Sequence, residues 1–78
     1  MYQLYCNKEK CELKLYKANK NWQNEIQKKL IPNELYHYND NYTFCTDRKI
    51  LREFAIDIKN LWMAEAQLLV LKIESIKI

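Results

Sequence analysis

Two kinds of hydrophobic periodicity divide this chain of 78 residues. Near the start, apolar and polar positions alternate one by one. Tyr2, Leu4 and Cys6 fall on one side of an extended segment, and Cys11, Leu13 and Leu15 fall on the same side of a second. With Asn7-Lys8-Glu9-Lys10 as the connecting turn, Cys6 stands opposite Cys11, Leu4 opposite Leu13 and Tyr2 opposite Leu15. After Lys17 the period changes. Trp22, Ile26 and Leu30 recur every fourth residue, as on one face of a helix that Asn19 or Asn21 caps and Pro32 closes. The Lys28-Lys29 pair then sits in the last turn, where positive charge suits the helix dipole.

Residues 34–45 read as a second hairpin, with Asn39-Asp40-Asn41 at a turn where left-handed geometry would ordinarily call for glycine. A three-residue turn pairs Tyr38 with Tyr42 and Tyr36 with Phe44, so these four rings share one face and Leu35, His37, Thr43 and Cys45 share the other. Thr46 or Asp47 caps a last segment in which Ile50, Phe54, Ile58, Trp62, Ala66, Leu69, Ile73 and Ile76 recur by threes and fours. A helix over 47–74 is about 42 Å long, and a short strand from Ser75 to Ile78 is the competing reading of the chain's end. The expectation is a single α+β domain over residues 1–78. It has a small antiparallel sheet of two hairpins, with a short helix and a long C-terminal helix on one face, in the order ββαββα with a short last strand as the alternative.

Composition narrows the function more than it names it. Apolar residues make up 49 % of the chain, including two Trp, six Tyr and two Phe, which is a folding rather than a disordered composition. There is no glycine, so phosphate-cradling loops, dinucleotide fingerprints and nucleophile elbows, all of which need one, are excluded. A single histidine, His37, leaves no two-histidine metal motif. Cys6, Cys11, His37 and Cys45 are the only soft-ligand set, and their spacing is poor for zinc, whose ligands usually lie two to four residues apart in both halves. We therefore expect no metal, no cofactor and no catalysis: Cys45 with His37 lacks a third group, and Ser75 is the only serine.

The net charge is +3, and it is lopsided. Residues 1–39 carry seven lysines (8, 10, 14, 17, 20, 28 and 29) against four glutamates, while residues 40–78 carry six charges of each sign. A single-stranded nucleic-acid site built from Lys8, Lys10, Lys14 and Lys17, with Tyr36 and Tyr38 as stacking rings, is the alternative function. The long helix points elsewhere. Trp62, Met63, Leu68, Leu69, Val70 and Leu71 spread apolar surface over more than one side of its second half, more than a small sheet can cover. Trp62, Met63, Leu69, Val70 and Ile73 are accordingly the expected partner-binding residues, first of all in a homodimer. The start Met1-Tyr2-Gln3-Leu4-Tyr5-Cys6 enters charged sequence at once, unlike a secretory leader, and no run reaches about 18 apolar residues. The expectation is a cytoplasmic protein with reduced cysteines and no membrane partner.

The usage of lysine, asparagine, isoleucine and tyrosine carries a resemblance. So do the tyrosine-rich first strand and the run Tyr42-Thr43-Phe44-Cys45-Thr46-Asp47-Arg48-Lys49 into a long helix ending Ser75-Ile76-Lys77-Ile78. In these features the chain resembles the small accessory proteins of phages and other mobile elements of AT-rich Gram-positive bacteria. The resemblance is one of style along the whole chain and transfers no functional residues. It implies a class: non-catalytic inhibitors that bind and block a host defence factor, anti-CRISPR proteins among them. The leading expectation is therefore a protein-binding inhibitor in the host cytoplasm that occludes a surface of a larger protein or ribonucleoprotein.

Overall fold

The computed structural model describes residues 1–77, the side chain of Gln23 excepted. Strands β1 (Tyr2–Asn7) and β2 (Glu12–Lys17) lead into the short helix α1 (Lys20–Ile26), which tightens into a 3-10 turn at Gln27–Lys29. Strands β3 (Tyr36–His37) and β4 (Tyr42–Cys45) follow, and then the 27-residue helix α2 (Arg48–Glu74). The four strands form one antiparallel sheet in the order β2-β1-β4-β3, in which β1 joins the two hairpins by pairing with β4. This is the α+β fold read from the alternating and helical periods. No strand follows α2 among the described residues: Ser75 closes the last helical turn by donating its N–H to the Leu71 carbonyl at 3.1 Å, and Ile78 lies outside them.

The second hairpin has the expected register, Tyr36 opposite Phe44 and His37 opposite Thr43. The first does not. Leu4 stands opposite Leu15, Cys6 opposite Leu13 and Tyr2 opposite Lys17, two residues away from the pairing expected from the alternation. A shift of two keeps every side chain on its face, because the strand period is two; the turn decides between such registers. Here the turn takes Lys8 to Cys11, closed by the Cys11 N–H to the Lys8 carbonyl at 3.1 Å and braced by Asn7 Oδ1, which accepts from the Lys10 N–H. Cys11 thus belongs to the turn rather than to the strand, and it takes a left-handed conformation with φ 54°.

The two helices lie on opposite faces of the sheet, not on one. Leu4, Cys45 and Leu51 are fully buried between the sheet and α2, ringed by Leu13, Leu15, Leu35, Ile50, Phe54 and Ile58. Phe44, Ile26 and Ala18 form a second buried cluster under α1, with Trp22, Leu30, Tyr36 and Tyr42 around it. The reason is local: alternation along β4 sends Phe44 to one face and Cys45 to the other, and both faces are then apolar enough to need a cover. Asn19 Oδ1 caps α1 by accepting from the Trp22 N–H at 3.2 Å, and Asp47 Oδ1 caps α2 by accepting from the Lys49 N–H at 2.8 Å.

Because Leu51 is the one fully buried residue of α2, Leu51→Ala should lower the free energy of unfolding by about 2–5 kcal/mol, read from urea or guanidinium midpoints.

Candidate functional site

Helix α2 is held to the sheet only by its first half. Leu51, Phe54, Ala55 and Ile58 pack on the strands, Trp62 is half-buried at the end of the sheet, and every residue from Met63 to Glu74 is exposed. The molecule measures 57 × 20 × 17 Å. Its radius of gyration is 16.0 Å, against about 11–12 Å for a compact chain of this length. The second half of α2 is therefore an arm. It stays helical because the capped, packed first half supplies the nucleus, leaving only propagation through good helix formers such as Met63, Ala64, Glu65, Ala66 and Gln67.

At 100° per residue the arm carries two apolar stripes on opposite sides. Trp62, Ala66, Leu69 and Ile73, spaced by four, three and four, continue the face that packs on the sheet, and Ile76 follows just past the end of the helix. Leu61, Ala64, Leu68 and Leu71 run along the solvent side. Glu65 and Lys72 occupy one polar seam between the stripes, Gln67 and Glu74 the other. Eight large apolar side chains of this segment, from Leu61 to Ile76, are each 51–64 % exposed. Covering such a side chain fully gains roughly 1 kcal/mol, half the value for complete burial. The eight together reach the lower half of the cost of association, about 4–15 kcal/mol. A partner on one side of the arm must therefore add apolar surface of its own to what that side supplies.

Of the expected partner-binding residues, Met63, Leu69, Val70 and Ile73 stand exposed on the arm and Trp62 sits at its root. Trp62 lines a mostly apolar groove with Cys11, Leu13, Lys59, Met63 and Ala66, where the β1–β2 turn meets the helix. On the other side of that turn the Lys8 ammonium pairs with the Glu65 carboxylate, an exposed contact worth less than about 1 kcal/mol. No helix of the described residues is long and apolar enough to cross a membrane.

The lysines and rings of the alternative site do not share one surface. Lys8 and Lys10 lie in the first turn, Lys14 points to the α1 face and Lys17 to the α2 face. Tyr36 packs against the cluster under α1, and Tyr38 lies edge-on to Trp22 at 5.3 Å between ring centroids. Trp22 also meets Tyr42 at 5.4 Å and Phe44 at 5.3 Å, so the ring-bearing half of the sheet is roofed by α1. The uncovered half of that face holds a different set, Tyr5, Lys14 and Tyr16. Tyr16 accepts from Nε2 of the buried Gln3 at 2.6 Å, and burial, with the neighbouring Tyr42 and Tyr5, raises its hydroxyl pKa. Alternation points to Tyr5 and Tyr16 only once it is known that α1, seven residues long, stops short of β2.

The soft-ligand residues are dispersed. Among the described residues no three of His, Cys, Asp and Glu come together as a metal cluster would require. Cys45 is buried against α2, Cys11 is exposed in the first turn, and Cys6 directs its thiol to the Asp40 carbonyl at 3.3 Å. Burial, and secondarily the negative charge of Asp40, raises the Cys6 thiol pKa. His37 Nδ1 lies 3.1 Å from Thr43 Oγ1, with its ring against Phe54. The histidine is thus engaged in joining the sheet to α2, away from Cys11.

A thiol reagent near neutral pH should modify Cys11 first. Cys6 should follow with a rate that keeps rising to a higher pH than an ordinary thiol's, and Cys45 should react only on unfolding; mass spectrometry of timed aliquots reads the order.

No protein-family model, curated protein or solved structure matches the chain. The functional reading is therefore carried by the arm and the surfaces around it.

Proposed function

We propose that this chain is a non-enzymatic binding protein that uses the solvent-side stripe of its arm, Leu61, Ala64, Leu68 and Leu71, to occupy an apolar groove on a larger protein. The observation that carries this reading is a helix exposed from Met63 to its end and apolar on both sides. A helix laid in a groove buries anchors spaced three and four apart, and Leu61, Ala64, Leu68 and Leu71 have that spacing. The scaffold suits such a role: the first half of α2 is capped and packed, so the arm is presented in one direction with little order left to gain on binding. The sequence resemblance supplies the class of target, a surface of a host defence complex in the cytoplasm, which occlusion alone would inhibit.

A second reading is favoured by the open half of the α1 face. Tyr5 and Tyr16 beside Lys14 can stack unpaired bases, and this set replaces Tyr36 and Tyr38 in that reading.

The double variant Leu68→Glu/Leu71→Glu should keep the far-ultraviolet helix signal of the folded chain. It should lose at least about tenfold in affinity for the protein that the natural chain captures from its host, a loss near 1.4 kcal/mol. Raising salt from 50 to 200 mM should leave that affinity nearly unchanged. Binding of a nucleic-acid strand instead, with a steep loss over the same salt range and no response to the double variant, selects the second reading.

A further inference from the structure

We infer that the arm also binds a second copy of this chain, with the two helices antiparallel along the stripe Trp62, Ala66, Leu69 and Ile73. The inference rests on the arm being a docking element, and it leaves the Leu61, Leu68 and Leu71 stripe facing outward for a target. Spacings of four, three and four are those of a helix-pairing seam, in which each apolar residue enters the space between residues of a facing helix.

Charge selects the direction. Glu65 and Lys72 lie seven residues apart on the same flank of this stripe and are opposite in sign. An antiparallel pair with its two-fold axis near Leu68 and Leu69 brings Glu65 of each copy beside Lys72 of the other, twice. A parallel pair leaves Glu65 beside Val70 and gives Lys72 no acidic neighbour, since the position that would face it lies past the end of α2. The Glu65 carboxylate is paired with Lys8 of its own chain but its side chain is 44 % exposed, so it has room for a second cation.

On the other flank the same axis sets Val70 beside Gln67 and Met63 beside Glu74 of the second copy, contacts that oppose no like charges. The body also fits this direction, because the sheet and both hairpins sit at the N-terminal end of α2 and an antiparallel pair carries them to opposite ends. The free tip of each arm, with Ile73 and Ile76, then reaches the mostly apolar groove formed by Cys11, Leu13, Trp62, Met63 and Ala66 of the other copy, with Lys59 at its edge. A single arm leaves that groove open; an exchanged arm closes it in both copies at once, as the self-complementary interface of a two-fold dimer must.

The test uses the full chain in sedimentation equilibrium. At about 100 µM it should sediment at twice its 9.6 kDa mass, a dissociation constant in the micromolar range being expected for so small an interface. Glu65→Lys and Lys72→Glu should each weaken dimerisation about tenfold. An equimolar mixture of the two variants should restore it, since only an antiparallel pair then satisfies both contacts. Loss of a fold cannot produce that recovery. A natural chain that stays monomeric, variants that dimerise unchanged, or a mixture no better than its components overturns the inference. A monomer that still captures its target overturns the pairing and leaves the docking reading standing.

Discussion

The structure depends on a mismatch of lengths. Strands of two to six residues give a sheet floor of at most about 20 Å, while the 27 residues of α2 extend about 40 Å. One end of the helix is fastened by the Asp47 cap and by Leu51, Phe54 and Ile58 on the sheet, and the other end has nothing beneath it. The body therefore holds the first half of α2 alone, and the apolar content of the helix is divided between the part that packs the fold and the part that stays uncovered.

The sheet meets its own burial demand on two sides with unequal means. On one side α2 covers Leu4 and Cys45 with several turns of helix; on the other a seven-residue helix and the ring of Trp22 cover Phe44, Tyr38 and Tyr42. Edge-on and tilted contacts with centroids 5.3–5.4 Å apart are what aromatic rings prefer, so one tryptophan can roof three of them. What α1 leaves open is the half of the face that carries Tyr5 and Tyr16.

A chain without glycine has to turn by other means. Cys11 and Asn33 are the two described residues with positive φ, and the remaining reversal is done with side-chain oxygens. At the second hairpin Asn39 Oδ1 accepts from the N–H groups of both Asn41 and Tyr42 at 2.9 Å, and Asn41 Nδ2 donates to the Cys6 carbonyl at 2.8 Å, tying the turn to β1. None of residues 39–41 needs the left-handed geometry that asparagine would tolerate there. The same tie positions Cys6 and Asp40 beside each other, which is why the thiol sits near the carboxylate that helps raise its pKa.

Periodicity alone was enough to name the two hairpins, the faces of Leu4 and Phe44, the excess of apolar surface on α2 and a pair of cap candidates for each helix, Asn19 or Asn21 and Thr46 or Asp47, because each is a consequence of neighbours within one or two turns of chain; the structure chose Asn19 and Asp47. Tertiary structure decided the rest. The register of the first hairpin turned on whether Cys11 belongs to a strand or a turn, two arrangements that give identical alternation. Pairing of β1 with β4, and with it the separation of the helices onto opposite faces, joins residues some forty positions apart that no local period connects. The fate of Tyr36, Tyr38, Tyr5 and Tyr16 followed from how far α1 reaches across the sheet, and the freedom of the arm from where the sheet ends. A sequence carries the apolar pattern of each element; which surface remains uncovered is a property of the whole packing, since burial is shared among elements and is complete only when the last of them is in place.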